Sequence, residues 1–409
     1  MKRLIAWAVT GMMVLSLFAV GGVASATAGK PTLKIFMSKV EISDALAQMG
    51  ADYQAATGVN VEVWGTPGDG YSTQLQTKLA SGQGPTVFQS GGPVEAAQMA
   101  QYMTDLSNES YIQYILPGMA ETLDGKTVGV PLDIEGYGYV YNKSLVDAGK
   151  VTDVASLKTV MDGLKGQGIN PLSLSSESYF LIGHSIAGAF SLQPDMQGFI
   201  SQLNAGKVTM ADDPIFQDWA QLMVNIRDTS TNPLDVTYDS QIAGFATGKT
   251  AMIQQGNWCY GMFADYKDAM NFDMGLMPIP VKGNDKIFVG AAGYWAINAQ
   301  APADEIQAGK DFLTWLFTSS AGQDYITNKF GFVPAMSNIV NANLDPISQA
   351  VVDAGKAGTT LQWATTFFPS GIIDNYLLAP AQKFFSTPDE TAAQFLADLD
   401  AAWAAGVKQ

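Results

Sequence analysis

Past a first apolar run, the chain alternates between two hydrophobic periods. "TLKIFM" (32–37) reads as a short strand, and from about Asp44 to Thr57 the apolar residues Leu46, Met49, Tyr53 and Ala56 recur at helical spacing. Ser43 is placed to cap that helix and Gly58 to stop it. A second strand, "VNVEVWG", leads into a helix through "YSTQLQTKLASG", and "PTVFQSGG" reads as strand and loop. Strand, helix, strand, helix, strand at these lengths predicts parallel βαβ units. A further helix is expected to carry Met99, Met103 and Leu106 on one face.

A second such series runs from about Leu145 to Gly275, and a third, mostly helical, from "APADEIQAGKDFLTWLF" to the end. Thr387, Pro388 and Glu390 suit the N-cap, N1 and N3 positions of a last helix, with Phe395, Leu396, Leu399 and Trp403 facing inward. Trp219, Trp315 and Trp403 fall at helical spacing among apolar neighbours and read as core. With no tandem repeat and no flexible Gly/Ser tether, the pattern predicts a two-lobed α/β protein whose lobes are joined by ordered strands.

Composition narrows the class. Lys2 and Arg3, the run "LIAWAVTGMMVLSLFAV" and the small-residue tail "GGVASATA" form the n-region, h-region and cleavage pattern of a secretory signal, expected over 1–28. No cysteine stands at the cleavage site, so a soluble extracytoplasmic (periplasmic) protein without a lipid anchor is expected. The chain carries 22 basic and 38 acidic residues, a net charge of −16, which leaves no electrostatic footprint for nucleic acid. Its single cysteine, Cys259, cannot form an internal disulfide. Beyond the signal only one arginine remains, Arg227, and this scarcity of the usual fork for carboxylate, phosphate and sulfate argues against an anionic ligand.

"FATGKTAMIQQGNW" (245–258) resembles the hallmark segment of bacterial extracellular solute-binding proteins of the carbohydrate-transport, maltose-binding-protein-like kind. "LASGQGPTVF" (79–88) is similar to the family's segment after the second helix, with Thr86 where an aspartate is common. "DGKTVGVPLDIEGYGYVYNKSLVDAG" (124–149) resembles the first crossover between lobes, "FVGAAGYWAINAQAP" (288–302) the return crossover, and "GFVPAMSNI" (331–339) the Pro turn that follows. The resemblance implies a type II periplasmic-binding-protein fold: two lobes, each a mostly parallel sheet flanked by helices, joined by a strand hinge. It places 29–139 and 292–342 in the amino-terminal lobe and 140–291 and 343–409 in the carboxy-terminal lobe. It further implies a monomer that clasps a carbohydrate and hands it to the membrane permease subunits of an ABC transporter, with no cofactor.

Ligands of open α/β sheets sit outside the carboxyl ends of the strands. That rule picks Ser38, Lys39 and Glu41 after the first strand, Trp64 at the end of the second, and Gln89 and Ser90 at the end of the third. It also picks Asp133 and Glu135 in the first crossover and Gly293, Tyr294 and Trp295 in the return crossover. A sugar offers hydroxyls at its rim and C–H patches on its faces, so it needs aromatic platforms together with carboxylates and amides. By resemblance, Glu135 stands where the family carries a sugar-binding acid, Glu177 and Tyr179 of "SESYF" match a Glu-x-Tyr contact, and Trp258 matches the stacking tryptophan. Trp363 and Phe368 lie in the region that often supplies a second aromatic. Asn257 can cap the next helix or reach a hydroxyl, and Cys259 is expected to face the core. Only one of Tyr294 and Trp295 should face the cleft, because alternate strand residues face opposite sides.

Other readings are weaker. A Cys259–His184 dyad needs a base within reach and a lowered thiol pKa, and "FLIGHSIAGAF" reads as a buried helix. A glycoside hydrolase using Asp133 and Glu135 would need the two carboxyls to flank a scissile bond. A polyol or polyamine cargo suits the same fold. Neither histidines nor cysteines cluster in the manner of a metal site.

Overall fold

Strand and helix alternate through the first hundred residues as the two periods require. A computed structural model describes residues 30–65 and 70–408; the signal expected over 1–28 lies outside the described residues. The strands are β1 Thr32–Met37, β2 Asn60–Gly65, β3 Val87–Ser90, β4 Glu121–Leu123, β5 Lys126–Pro131 and β6 Ile134–Asn142. They continue with β7 Asn170–Ser173, β8 Thr250–Gly256, β9 Met274–Met277, β10 Ile287–Ala291, β11 Tyr294–Ile297 and β12 Thr360–Gln362. One sheet has the order β2-β1-β3-β11-β5-β4; the other has β12-β10-β6-β8-β7, with β9 also paired to β6.

The first sheet is covered on both faces, as the period of two in β1 allows. Leu33 and Ile35 pack on one side with Met49, Tyr53 and Phe312, while Phe36 packs on the other with Leu75, Leu79 and Phe88. The helix Ser43–Thr57 ends where expected, at Gly58 in the left-handed region (φ 70°). It starts on Ser43 itself, which makes no capping bond. The second sheet packs against the largest core, which includes Phe190, Phe216, Trp219, Phe395 and Trp403. Trp315 is only partly buried, at the edge of the first-lobe core.

Four elements differ from the sequence reading. Both sheets are mixed: β1–β2, β1–β3, β7–β8 and β10–β12 pair parallel, and the remaining ladders are antiparallel. The reason is that β5 to β6 and β10 to β11 pass straight from one sheet to the other without a helix, so the arriving strand runs against its neighbours. For the same reason Gly136 to Tyr141, whose first residues the sequence reading placed with the amino-terminal lobe, pair with β8 or β10 in the second sheet. The helix expected around Met99 and Met103 is short, Pro93–Gln98, and Met103 is already extended. The last helix is Ala392–Gly406, capped by a Thr391/Gln394 box four residues later than expected. Glu390 is buried beside Lys383 instead of turning back to cap.

Candidate ligand-binding cleft

A cavity of about 530 Å³ opens between the two sheets. Its walls come from the chain just beyond the carboxyl ends of the strands: Lys39 and Glu41 after β1, Glu95 after β3, Glu177 to His184 after β7, Trp258 after β8, and Trp363 to Thr366 after β12. Glu135 comes from the start of β6, which lies at the same edge because β6 runs antiparallel to its neighbours.

Aromatic groups form the second-lobe wall. The Trp258 ring lies 5.0 Å from the His184 ring and 6.1 Å from that of Trp363, to which it is almost perpendicular at 88°. Its Nε1 donates to Gln255 Oε1 at 2.6 Å, Gln255 Nε2 donates to Gln241 Oε1, and Gln241 Nε2 donates to the Ser173 carbonyl. With its N–H engaged, Trp258 can offer a ligand only a ring face. Trp363 differs: its Nε1 is buried and, among the described residues, has no hydrogen-bond partner. His184 Nδ1 and Glu177 Oε2 share that condition, while Glu177 Oε1 accepts from the Tyr238 N–H at 2.9 Å. Burial lowers the His184 pKa to about 3, so its ring is neutral. Buried polar groups generally have hydrogen-bond partners, so these three atoms are suited to a ligand with complementary groups.

The first-lobe wall is built around one cation. Lys39 Nζ is paired with Glu135 Oε1 and lies 3.9 Å from Asp133 Oδ2. Burial opposes its charge, but Asp133, Glu135 and Glu41 outweigh burial and hold Lys39 above its ordinary range. Burial raises Glu41, Asp133 and Glu135 in turn, and Lys39, shared among the three, lowers each without cancelling that rise. Tyr238 of the second lobe reaches Glu41 of the first at 3.5 Å.

Lys39, Glu41, Gln89, Glu135, Glu177, Tyr179, Trp258 and Trp363 therefore line the cavity. The amide of Gln89 is engaged at both ends, accepting from Ser38 and donating to the Ala292 carbonyl. Eight other sequence candidates stand outside the wall. Trp64 packs on Phe36 under the Lys78 ammonium, and Ser90 is fully buried, donating to Glu121. Asp133 is buried behind Lys39. Asn257 clamps the crossover: its Oδ1 accepts from the Gly136 N–H at 2.9 Å and its Nδ2 donates to the Ile134 carbonyl. Gly293, with φ 148°, leaves room for Gln89, and its carbonyl accepts from Leu132. Trp295 joins the first-lobe core against Phe312, and Tyr294 is buried on the opposite face. Neither faces the cleft, because helices or loops cover both faces of that sheet. Phe368 is buried in the second-lobe core.

Cys259 points away from the cleft into an apolar cluster with Phe245, Ile253 and Phe263, and burial pushes its thiol pKa up. Sequence reasoning missed His184, Phe180, Tyr238 and Glu95. Glu95 was findable, since it follows β3 by five residues; the others carry no local signal.

Two mixed sheets exchanging strands around a cleft of this build define a two-lobed solute-binding fold. Residues 48–396 match the family model described as bacterial extracellular solute-binding protein, and the chain belongs to that family. Solved structures share the fold. They include RafE in complex with raffinose, at 21% identity over 92% of this chain and 99% of that one, with a TM-score of 0.76. A chitin oligosaccharide binding protein matches at 18% over 93% and 100%, with a TM-score of 0.77. A sugar transporter protein from Bacillus licheniformis in complex with stachyose matches at 16% over 92% and 100%, with a TM-score of 0.74. Among the described residues, no helix is long and apolar enough to cross a membrane.

Proposed function

We propose that the protein captures an uncharged oligosaccharide between its lobes outside the cytoplasm and delivers it to the permease of an ABC transporter. The observation that carries this reading is the pairing of wall types: an indole face at Trp258, with unpartnered polar atoms at Trp363, His184 and Glu177 beside it. A pyranose has the matching surfaces, C–H patches for the ring and hydroxyls for the polar atoms. Among the described residues no arginine lines the wall, which supports an uncharged ligand over an acidic one. The similar structures in complex with raffinose and with stachyose, and that of a chitin oligosaccharide binding protein, support the same class.

The same geometry favours binding without cleavage. Asp133 and Glu135 sit together around one lysine, and Asp133 is off the cavity wall, so the two do not flank a bound bond as a hydrolase pair must. A thermal-shift screen tests the reading, since a ligand bound only by the native state raises the melting temperature. The panel is sucrose, raffinose, stachyose, maltooligosaccharides, chitin oligosaccharides, a uronate and a polyamine. Stabilisation by a neutral oligosaccharide is expected; stabilisation by the uronate or polyamine alone would reject the reading.

A further inference from the structure

The cleft does not end at its aromatic chamber. A smaller polar annex of about 80 Å³ adjoins it, and Glu95, Tyr179, Thr366 and Asp374 line both spaces. The annex is closed on its far side by Phe368 to Ile373 of the second lobe and on its near side by Ser72 and Val94 of the first. Gln76 of the first lobe reaches Ser370 of the second at 3.4 Å. Anything in the annex therefore touches both lobes.

Its chemistry differs from that of the main chamber. Glu95 is 7% exposed, with one carboxyl oxygen accepting from Ser72 Oγ and the other from the Gly91 N–H, both at 2.6 Å. Each oxygen keeps a lone-pair direction in reserve, and no tryptophan enters the lining. At roughly 10–15 Å³ per water-sized position, the annex has room for about half a dozen non-hydrogen atoms. That is part of one pyranose: a hydroxymethyl arm and the adjacent ring edge.

We infer that the annex is an end-subsite, which receives the hydroxyl-rich tip of an oligosaccharide whose other units occupy the aromatic chamber. The assignment rests on the carbohydrate reading above. It makes the protein length-selective, because only a chain long enough to reach the annex gains contacts to both lobes beyond Tyr179. Glu95 and Thr366 are its specificity-determining residues.

The test titrates the parent, Ser370→Phe and Glu95→Gln with two named ladders: sucrose, raffinose and stachyose, and chitin oligosaccharides of two to five units. Ser370→Phe fills the annex from its rim. In the ladder that binds, Ser370→Phe should weaken the longest binder about tenfold and leave the shortest within about twofold, whereas Glu95→Gln, whose carboxylate lines both spaces, should weaken every length and the longest most. A thermal melt of each variant establishes that it folds; if Ser370→Phe does not, Val94→Phe, which fills the annex from the first lobe, carries the comparison. Equal loss at every length, or no loss at any, overturns the annex assignment and leaves the carbohydrate reading standing. If neither ladder nor any other neutral sugar binds the parent, the carbohydrate reading fails and the annex assignment fails with it.

Discussion

Lys39 and Glu135 form an ion pair across the two sheets, their side chains only 8% and 6% exposed. Lys39 follows a strand of the first lobe and Glu135 lies on a strand of the second, so the pair ties the lobes at the cleft wall. Removing the cation strands Glu41, Asp133 and Glu135 together. Lys39→Met should therefore cost about 3–5 kcal/mol of stability at pH 7, the range for breaking a buried pair by deleting one partner. The loss should be smaller at pH 5, where the carboxyls take protons more readily. Urea unfolding at both pH values measures this; an equal loss at each would mean the lysine acts through packing alone.

Trp258 and Cys259 are neighbours with opposite duties. Trp258→Ala should weaken sugar binding by about 1–3 kcal/mol, as expected for a lost aromatic platform. It should also lower the melting temperature, because the ring packs on Tyr137, His184 and Trp363. Cys259→Ser should leave affinity within about twofold and cost about 1–3 kcal/mol of stability, since it buries a hydroxyl in an apolar cluster. Calorimetric titration beside a melt of each variant separates the two; lost binding in Cys259→Ser with unchanged stability would revive a role for the thiol.

Gly256 is fixed by contact. A Cβ there would lie 2.3 Å from Trp258 Cζ3 and 2.5 Å from the Gly136 carbonyl oxygen. The ring can turn only by breaking its bond to Gln255, and the carbonyl belongs to the crossover strand. Gly256→Ala should thus cost about 3 kcal/mol and weaken binding as well. Gly261→Ala, which meets nothing within 4 Å, should stay within about 0.5 kcal/mol in the same denaturation assay.

Glu121 supplies a pH signature independent of the cleft. Burial lifts its carboxyl from the ordinary 4.5 to about 8; Ser90 donates to one oxygen, and among the described residues the other has no partner. Between those values the native state holds a proton that the unfolded chain releases. The stability this group contributes is present below pH 4.5 and is lost as pH rises to 8. Glu121→Gln should flatten the fall in melting temperature over that window relative to the parent. Parallel pH profiles for parent and variant would contradict the assignment. His184, lowered by burial, acts with the opposite sign below pH 6.5, and the difference between the two profiles cancels it.

Strand ends were legible from periodicity, and the rule that ligands gather beyond them located Lys39, Glu41 and Gln89 on the wall. Glu135 came from that rule and from resemblance together, and Glu177, Tyr179 and Trp258 from resemblance. His184 was not legible, because a π-turn over Tyr179–Gly183 sets its orientation within an apolar run, and no local pattern encodes that rotation. Trp295 was misplaced for a different reason: alternation assigns a residue to a face but does not say that both faces are covered. Asn257 looked like a cap or a sugar contact, and its true partners, Gly136 and Ile134, lie more than a hundred residues away.

In the proposed function the cleft holds an uncharged carbohydrate by stacking and hydrogen bonds. Isothermal titration of the parent protein with the neutral oligosaccharide selected by the screen, at low salt and at about 1 M salt, tests it most directly. Saturable one-to-one binding is expected, with an affinity that changes by no more than a few-fold between the two conditions, since no ligand charge is screened. A ligand that binds only when charged, with affinity falling about a hundredfold at high salt, would contradict it.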